Sequence, residues 1–187
     1  MQLVAITDRA RMQPRFGDAI VRMLARFPGA LVQVREKDLD GAPLLALVRE
    51  ALATGARVVV NDRVDVALAA NAHGVHLPER GLAIADARTL LPATALVGVS
   101  RHDLAGVAEA AAAGANLIQL GPIWPSPGKG APLGLDALRA ARDAIAGRAR
   151  LVAVGGIDSE ARAREALAAG ADAVAAIRWA WDAAPPT

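Results

Sequence analysis

Three polar side chains alternate along one short apolar segment of the sequence. In "VQVREKD", Gln33, Arg35 and Lys37 are separated by single residues. Because side chains of a strand alternate between its two faces, all three are expected to point to the same side. Two cations and an amide placed together suit an anionic or heterocyclic ligand. The alternative is that the cations form surface ion pairs with the neighbouring Glu36 and Asp38.

An amide and a carboxylate follow each other at the end of another apolar segment. Asn61 and Asp62 stand together in "VVVNDRVD", and their oxygens suit Mg²⁺ or a hydroxyl group. The same residue types are also favoured N-caps, and a helix is expected to begin near Val64. The residues alone leave both roles open.

Two further apolar segments end in histidines. His76 in "HLPERG" fits a structural role, since a lone histidine at a strand end is more often structural than catalytic. In "SRHD", Ser100 is expected to cap the next helix, with Asp103 as its reciprocal partner. His102 in the same stretch is a candidate for proton transfer, since histidine is the side-chain type best suited to that role near neutral pH.

Glycines and prolines mark two other candidate ligand sites. Gly155 and Gly156 in "GGID" allow the backbone to approach a ligand, and the N–H groups of the following turn and helix suit phosphate. Turn geometry alone is the alternative explanation. The loop "GPIWPSPGKGAPLG", residues 121–134, interrupts an otherwise regular chain and holds a single cation, Lys129.

The elements that position these residues alternate between short apolar segments and longer segments of helical period. Little internal alternation in the short segments indicates strands buried on both faces. The predicted strands are Leu3–Thr7, Ala30–Arg35, Arg57–Asn61, Gly74–Leu77, Leu96–Ser100, Leu117–Gly121, Leu151–Gly156 and Ala173–Ile177.

Three of the predicted helices end in the same short motif. Gly55, Gly114 and Gly170 each stand in "A(A/T)GA", and each is followed by a strand. A repeated strand–helix unit predicts a compact (β/α)8 TIM barrel, with its chemistry at the carboxyl ends of the strands. A doubly wound sheet is the alternative, although it normally uses fewer strands.

The last helix, "WAWDAA", is predicted to be truncated by Pro185 and Pro186. A truncated helix leaves part of the apolar barrel wall uncovered. We expect Trp179, Trp181 or a partner subunit to cover it, so a homodimer is one predicted assembly.

Composition restricts the function classes. Residues 1–187 fit one domain, and 54% of them are hydrophobic, without an apolar run long enough to span a membrane. The amino terminus lacks the features of a signal peptide, and the chain has no cysteine, so a cytoplasmic protein is expected. A formal charge of +2 and 3% aromatic residues argue against nucleic-acid binding.

Several motifs, in order along the chain, resemble one known superfamily. These are "VQVREKD", "VVVNDRVDVALAANAHGVHL", "VGVSRHD", "LGPIWPSPGK", "VAVGGI" and "AGADAVAAI". They resemble the thiamine phosphate synthase and thiazole tautomerase superfamily, whose fold is the (β/α)8 barrel. The synthase branch joins hydroxymethylpyrimidine diphosphate to thiazole phosphate with Mg²⁺ and releases diphosphate. The tautomerase branch moves a proton on a carboxylated thiazole phosphate and needs no metal.

The resemblance implies roles for the polar residues of two strands. Gln33, Arg35 and Lys37 match the set that binds the pyrimidine and the diphosphate in a synthase. Asn61 and Asp62 match the pair on the diphosphate and Mg²⁺, so Asp62 is the expected metal ligand if the chain is a synthase.

The resemblance also implies a phosphate site, formed by the residues that follow strands six, seven and eight. Ser126 and Lys129 match the hydroxyl and lysine of the synthase phosphate loop, and Gly155 and Gly156 belong to the same site. Arg178 stands where the family has a phosphate-binding serine. It is expected either to replace that hydroxyl or to fill the pocket.

Other positions depart from the synthase pattern. Gly81 stands where a second metal carboxylate is expected, with Glu79 two residues earlier as its only substitute. Gly128 replaces a phosphate-binding hydroxyl, and "HLPERG" resembles the tautomerase turn. His102 matches the tautomerase acid/base, although synthases often have a histidine there too.

These departures favour a tautomerase-like proton transfer on a thiazole phosphate, without a cofactor, with His102 as the acid/base. The first alternative is a thiamine phosphate synthase with Mg²⁺. The second is a non-catalytic protein that binds thiazole or thiamine phosphates.

Overall fold

Eight parallel strands form a closed barrel, and a helix follows each of them. The computed structural model describes residues 2–13 and 15–182, and its strands pair in sequence order until β8 pairs with β1. The strands are β1 Leu3–Ile6, β2 Leu31–Val34, β3 Arg57–Asn61, β4 Gly74–Leu77, β5 Leu96–Arg101, β6 Leu117–Leu120, β7 Arg150–Val154 and β8 Ala173–Ala176. The helices are α1 Phe16–Arg26, α2 Gly41–Ala53, α3 Val64–Ala70, α4 Ile84–Leu90, α5 Leu104–Ala112, α6 Gly134–Ile145, α7 Glu160–Ala168 and α8 Arg178–Trp181.

This architecture confirms the predicted (β/α)8 barrel, and each predicted strand is present. Several strands end one or two residues earlier than predicted, as β2 does at Val34. The backbone N–H of Arg35 donates to the side-chain hydroxyl of Thr7 at 2.9 Å, and so leaves the main-chain ladder. Arg35 and Lys37 therefore lie in the loop above β2, rather than in the strand.

Alternate residues of the strands form two separate apolar groups. Val4, Ile6 and Val152 belong to a small cluster inside the barrel, together with Ala173 and Ala175. Their neighbours along the strands belong to the larger cluster that the helices cover. Because strand side chains alternate, every strand presents one series of residues to the barrel interior.

The repeated motif closes the amino-terminal end of the barrel. Gly114 and Gly170 each follow a helix, and both glycines have a positive φ. Two residues after each glycine, Asn116 and Asp172 stand immediately before a strand. The Asn116 side-chain oxygen accepts the backbone N–H of Val97 at 2.8 Å, and Asp172 accepts that of Leu151 at 2.8 Å. Each unit therefore caps the strand before it, which explains why the motif recurs.

The last helix is short, as predicted. Two of its residues are tryptophans: the Trp179 ring packs against Phe27 in an edge-to-face arrangement, with the centroids 5.3 Å apart, and Trp181 donates its indole N–H to the carbonyl of Ile6 at 2.7 Å. Pro185 and Pro186, which were expected to end this helix, lie outside the described residues. Among the described helices, none has the length and apolar character needed to cross a membrane.

The capping interaction of Asn116 gives a stability test. Asn116→Ala removes the oxygen that accepts from both the buried Val97 N–H and the Arg88 guanidinium, so we expect the free energy of unfolding to fall by about 1–3 kcal/mol. Asn116→Asp is the matched control, because it keeps an oxygen in place as Asp172 does in the sister unit. Urea denaturation of both variants measures the effect, and equal stability of the alanine and aspartate variants would contradict it.

Candidate active site

A cavity of about 490 Å³ lies at the carboxyl ends of the strands. It contains most of the site residues that the sequence predicts: Gln33, Arg35, Lys37, Asn61, Asp62, Glu79, His102, Ser126, Lys129 and Gly155 all line it. Gly156 and Arg178 do not line the cavity, and Arg178 is exposed at the start of α8. The structure therefore unites residues from β2 to β7, and leaves these two outside.

A chain of three amides forms the floor of the cavity. Gln119 donates its side-chain N–H to Gln33 at 2.7 Å, and Gln33 donates to the Asn61 side-chain oxygen at 3.1 Å. Gln33 and Gln119 are buried, so these bonds fix the orientation of both amides. Sequence reasoning missed Gln119, although its place in "LIQL" between two outward-facing apolar residues marks it as an inward-facing position.

Asn61 and Asp62 do not have the helix-capping role that was considered for them. The N-cap of α3 is Arg63, without a side-chain capping bond, so neither Asn61 nor Asp62 caps this helix. Asp62 has a left-handed backbone conformation, with φ +68°, and its N–H donates to the carbonyl of His76 at 2.9 Å. This bond fixes the turn that brings the Asp62 carboxylate to the cavity.

His76 and Ser100 form a buried pair beneath the cavity. The His76 Nε2 atom lies 2.8 Å from the Ser100 hydroxyl oxygen. Burial lowers the pKa of His76 to about 3, with a further contribution from the nearby charges of Arg35 and Arg101. His76 is therefore a neutral structural histidine, as its isolation in the sequence suggested.

The predicted helix cap at Ser100 was wrong. Asp103 is the N-cap of α5, and its carboxylate accepts the backbone N–H of Gly106 at 2.7 Å. Ser100 faces the barrel interior instead, since its neighbour Val99 packs outward against the helices. Strand β5 continues to Arg101, so the cap can form only beyond that residue.

Arg101 is a second lining residue that the sequence analysis missed. Its guanidinium donates to the carbonyl oxygens of Ser100 at 2.7 Å and Gly106 at 3.2 Å. No ion-pair partner of Arg101 occurs among residues 2–13 and 15–182, so its positive charge lies unpaired beside the cavity. The cavity therefore carries one more fixed cation than the sequence motifs indicated.

His102 and Glu79 form a pair at the rim of the cavity. The His102 Nδ1 atom lies 2.9 Å from a Glu79 carboxylate oxygen, and both side chains are partly exposed. When Nδ1 carries the proton that Glu79 accepts, Nε2 is the proton acceptor of the ring. Glu79 is thus engaged with His102, although it remains in the lining of the cavity.

Gly81 lies directly beside the Asp62 carboxylate. A Cβ atom at Gly81 would stand 3.1 Å from an Asp62 side-chain oxygen, but only 2.8 Å from the ring of Pro78. This is the position where the family resemblance led us to expect a second metal carboxylate. The Pro78 ring now occupies part of the space that such a side chain would need.

The long loop after β6 packs onto β7 through the glycine pair. Cβ atoms at Gly155 and Gly156 would lie 2.6 Å from Pro122 and 2.5 Å from Trp124, and both glycines have positive φ. Two backbone hydrogen bonds hold the loop there: the Ile123 N–H donates to the Val154 carbonyl at 2.9 Å, and the Trp124 N–H donates to the Gly155 carbonyl at 3.1 Å. The glycines are therefore required for loop packing, whatever else they contact.

The loop in turn brings its polar residues to the cavity. Ser126 and Lys129 both line it, and the Lys129 N–H donates to the Ser126 carbonyl at 3.1 Å in a tight turn. Gly128 within this turn has φ +70°, a conformation that glycine adopts without strain. The turn geometry explains why a glycine stands where a hydroxyl was expected.

Comparison with known proteins decides the family. The family model described as thiamine monophosphate synthase matches residues 3–180. The chain belongs to this family. A Geobacter sulfurreducens protein, provisionally named a thiamine-phosphate synthase, is 46% identical, and the match covers 94% of this chain and 84% of that protein. A thiamine-phosphate synthase of Methanoculleus marisnigri is 38% identical, with 94% and 85% coverage.

Solved structures agree with this family and its barrel. Thiamine phosphate pyrophosphorylase from Pyrococcus furiosus has a TM-score of 0.81 and 30% identity, and the match covers 94% of this chain and 85% of that one. A mandelate oxidase, at 17% identity and a TM-score of 0.72, shares the fold alone; that match covers 96% of this chain and 65% of the oxidase.

The comparisons confirm the family resemblance and identify the chain as an enzyme of the thiamine monophosphate synthase family. Within that family they favour the synthase, which the sequence analysis placed second. The tautomerase interpretation rested on the departures at Gly81, Gly128 and Arg178, on the turn "HLPERG" and on the match of His102. Gly128 has a turn-geometry reason, and Arg178 lies outside the cavity lining.

The buried His76 gives this family member a testable pH dependence. Between pH 6.5 and about 3, the unfolded chain binds a proton at His76 that the folded protein does not. The contribution of His76 to the unfolding free energy is therefore fully present above pH 6.5. It is lost on acidification, by up to about 1.4 kcal/mol per pH unit.

We expect His76→Asn to reduce the pH dependence of the unfolding free energy, measured by urea denaturation from pH 7 to 5. Parallel curves for both proteins would contradict the assignment. NMR of the wild-type His76 ring provides a second measurement that does not depend on how the variant folds. Its resonances should not titrate over the same range.

Proposed function

We propose that the chain is a thiamine phosphate synthase, which joins hydroxymethylpyrimidine diphosphate to thiazole phosphate and releases diphosphate. One observation carries this proposal: cationic groups approach the cavity from opposite sides of the barrel. Arg35 and Lys37 follow β2, whereas Lys129 follows β6, four strands away in a closed ring of eight. Two separate anionic sites suit a reaction between two phosphorylated heterocycles.

The β2 side suits the pyrimidine diphosphate. Arg35 and Lys37 supply positive charge for the diphosphate, and Gln33 with Asn61 supplies fixed amides for ring nitrogens and amino groups. The bond from Gln33 to Asn61 orients both amides before a substrate binds. Such preorganisation reduces the cost of aligning the reacting atoms.

The loop side suits the thiazole phosphate. Lys129 supplies a cation and Ser126 a hydroxyl, and Gly155 exposes backbone at the same wall of the cavity. Gly156 and Arg178 are left out of this phosphate site, because neither lines the cavity. Arg101, whose guanidinium donates to two backbone carbonyls, adds positive potential between the two sides.

Mg²⁺, which the synthase uses in this family, fits the residues present with one protein carboxylate. Asp62 lines the cavity and is held by the His76 carbonyl, while Glu79 is paired with His102 and Gly81 has no side chain. Mg²⁺ is commonly bound by one or two carboxylates plus substrate phosphates. Asp62 would hold it against the diphosphate, whose leaving charge the ion would stabilise.

The transfer itself requires positioning and charge stabilisation more than proton transfer. The bond between the pyrimidine methylene carbon and the diphosphate oxygen breaks, and a new bond joins that carbon to the thiazole nitrogen. Negative charge therefore grows on the departing diphosphate. Arg35 and Lys37 are placed to stabilise that charge. The loop after β6 covers the opposite wall and holds the second substrate in place.

The test supplies the purified protein with both substrates and measures thiamine phosphate. We expect formation that stops when Mg²⁺ is removed. Lys129→Gln should raise the KM for thiazole phosphate by about tenfold or more, and Arg35→Gln should do so for the pyrimidine diphosphate. The KM of the other substrate is the internal control in each case. Equal effects on both substrates would contradict the two-sided site, and saturable binding without turnover would identify a binding protein instead.

A tautomerase activity is the second candidate, and the pairing of His102 with Glu79 favours it. That pair provides an oriented imidazole at the cavity rim, which suits metal-independent proton transfer on a carboxylated thiazole phosphate. We expect His102→Gln to abolish such isomerisation and to leave synthase turnover within about threefold, because the synthase step needs no base here. Arg80→Gln, at an exposed residue of the same turn as Glu79 that does not line the cavity, is the matched control. Synthase turnover lost with His102→Gln would place His102 in the transfer.

A further inference from the structure

A second cavity, of about 450 Å³, lies at the opposite end of the barrel. Val4, Leu31 and Leu117 form its apolar floor, and they belong to or pack on the interior cluster of the barrel. Its volume is close to that of the candidate active site and falls in the range of small-molecule sites. The chemistry proposed above uses none of the residues that line it.

Positive charge dominates the rim of this cavity. Four arginines line it, Arg57, Arg142, Arg148 and Arg150, against one acidic residue, Asp172. Asp172 is already engaged: it accepts from Arg142 at 2.7 Å and from the backbone N–H of Leu151 at 2.8 Å. The lining therefore keeps an excess of positive charge.

Arg57 and Arg150 are the two cations that the fold does not use. Each is the first residue of its strand, and each alternates with outward-packed neighbours, so both belong to the inward series. Strands β3 and β7 are four apart in the ring of eight, which places the two arginines on opposite sides of the cavity. Among the described residues, neither has an ion-pair partner.

Arg57 also breaks the capping pattern at this end of the barrel. It follows Gly55 and Ala56 in the same motif that places Asn116 and Asp172 as caps elsewhere. A guanidinium has no acceptor atom, so it cannot accept a strand N–H as those residues do. Capping of a strand N–H therefore does not explain why an arginine stands at position 57.

We propose that this cavity binds a small phosphate-bearing molecule, with its phosphate held between Arg57 and Arg150. One guanidinium group can donate two parallel hydrogen bonds to two oxygens of a phosphate. Two guanidinium groups that approach from opposite sides therefore suit a multiply charged anion. The apolar floor suits the organic part of such a molecule. This site is separate from the one proposed for catalysis.

The test is an NMR titration of the ¹⁵N-labelled protein with inorganic diphosphate, without Mg²⁺. We expect the backbone amides of Arg57 and Arg150 to shift with saturation, as a set distinct from any amides that shift around Gly155. The double variant Arg57→Gln/Arg150→Gln should weaken this first set at least about tenfold, because bonds to charged groups are lost. The signals around Gly155 should respond as in the wild type.

The matched control is Arg139→Gln/Arg164→Gln, which removes two exposed arginines that pair with Asp136 and Glu160 on helices. It should keep the wild-type affinity at the Arg57 and Arg150 amides. Absence of shifts there in the wild type would overturn the proposal, as would equal weakening in both double variants. Failure of the synthase assay would leave this result unaffected, because the titration measures no turnover.

Discussion

The pairing of β8 with β1 closes the parallel ladder, and the cavities at both ends of the barrel follow from this closure. A closed ring turns one series of alternating side chains inward on every strand. The inward residues at the carboxyl end become the walls of one cavity, and those at the amino end become the walls of another. Gln33 and Gln119, which are 86 residues apart, meet only because the ring closes.

Polar groups inside a closed barrel must find partners there, and this requirement shapes the active site. The three amides of the floor are joined by two hydrogen bonds, and His76 is paired with Ser100. An unpaired buried polar group would cost free energy, so these bonds also hold the groups in one orientation. The rigidity that the proposed transfer requires is thus a consequence of burying polar side chains.

The two ends of the barrel use the same fold for different purposes. At the carboxyl end, loops of varied length bring Lys37, Glu79 and Lys129 over the cavity. At the amino end, short turns built from one repeated motif close the strands. The same turn geometry is repeated along the chain with different residues. The unit that ends at Gly55 therefore has Arg57 at the position that corresponds to Asn116, and the barrel still forms.

The barrel, the short last helix and most of the cavity lining can be predicted from the sequence, because hydrophobic period and strand-end polar residues are local properties. Gln33, Arg35, Asp62 and Lys129 could be found from spacing and motif alone. The pairing of these groups could not be predicted in the same way: Ser100 pairs with His76 rather than with the helix, Glu79 pairs with His102, and Gly156 packs against Trp124 of the loop. Those pairings join residues from different strands and loops, and their contacts are set by ring closure rather than by any local sequence pattern.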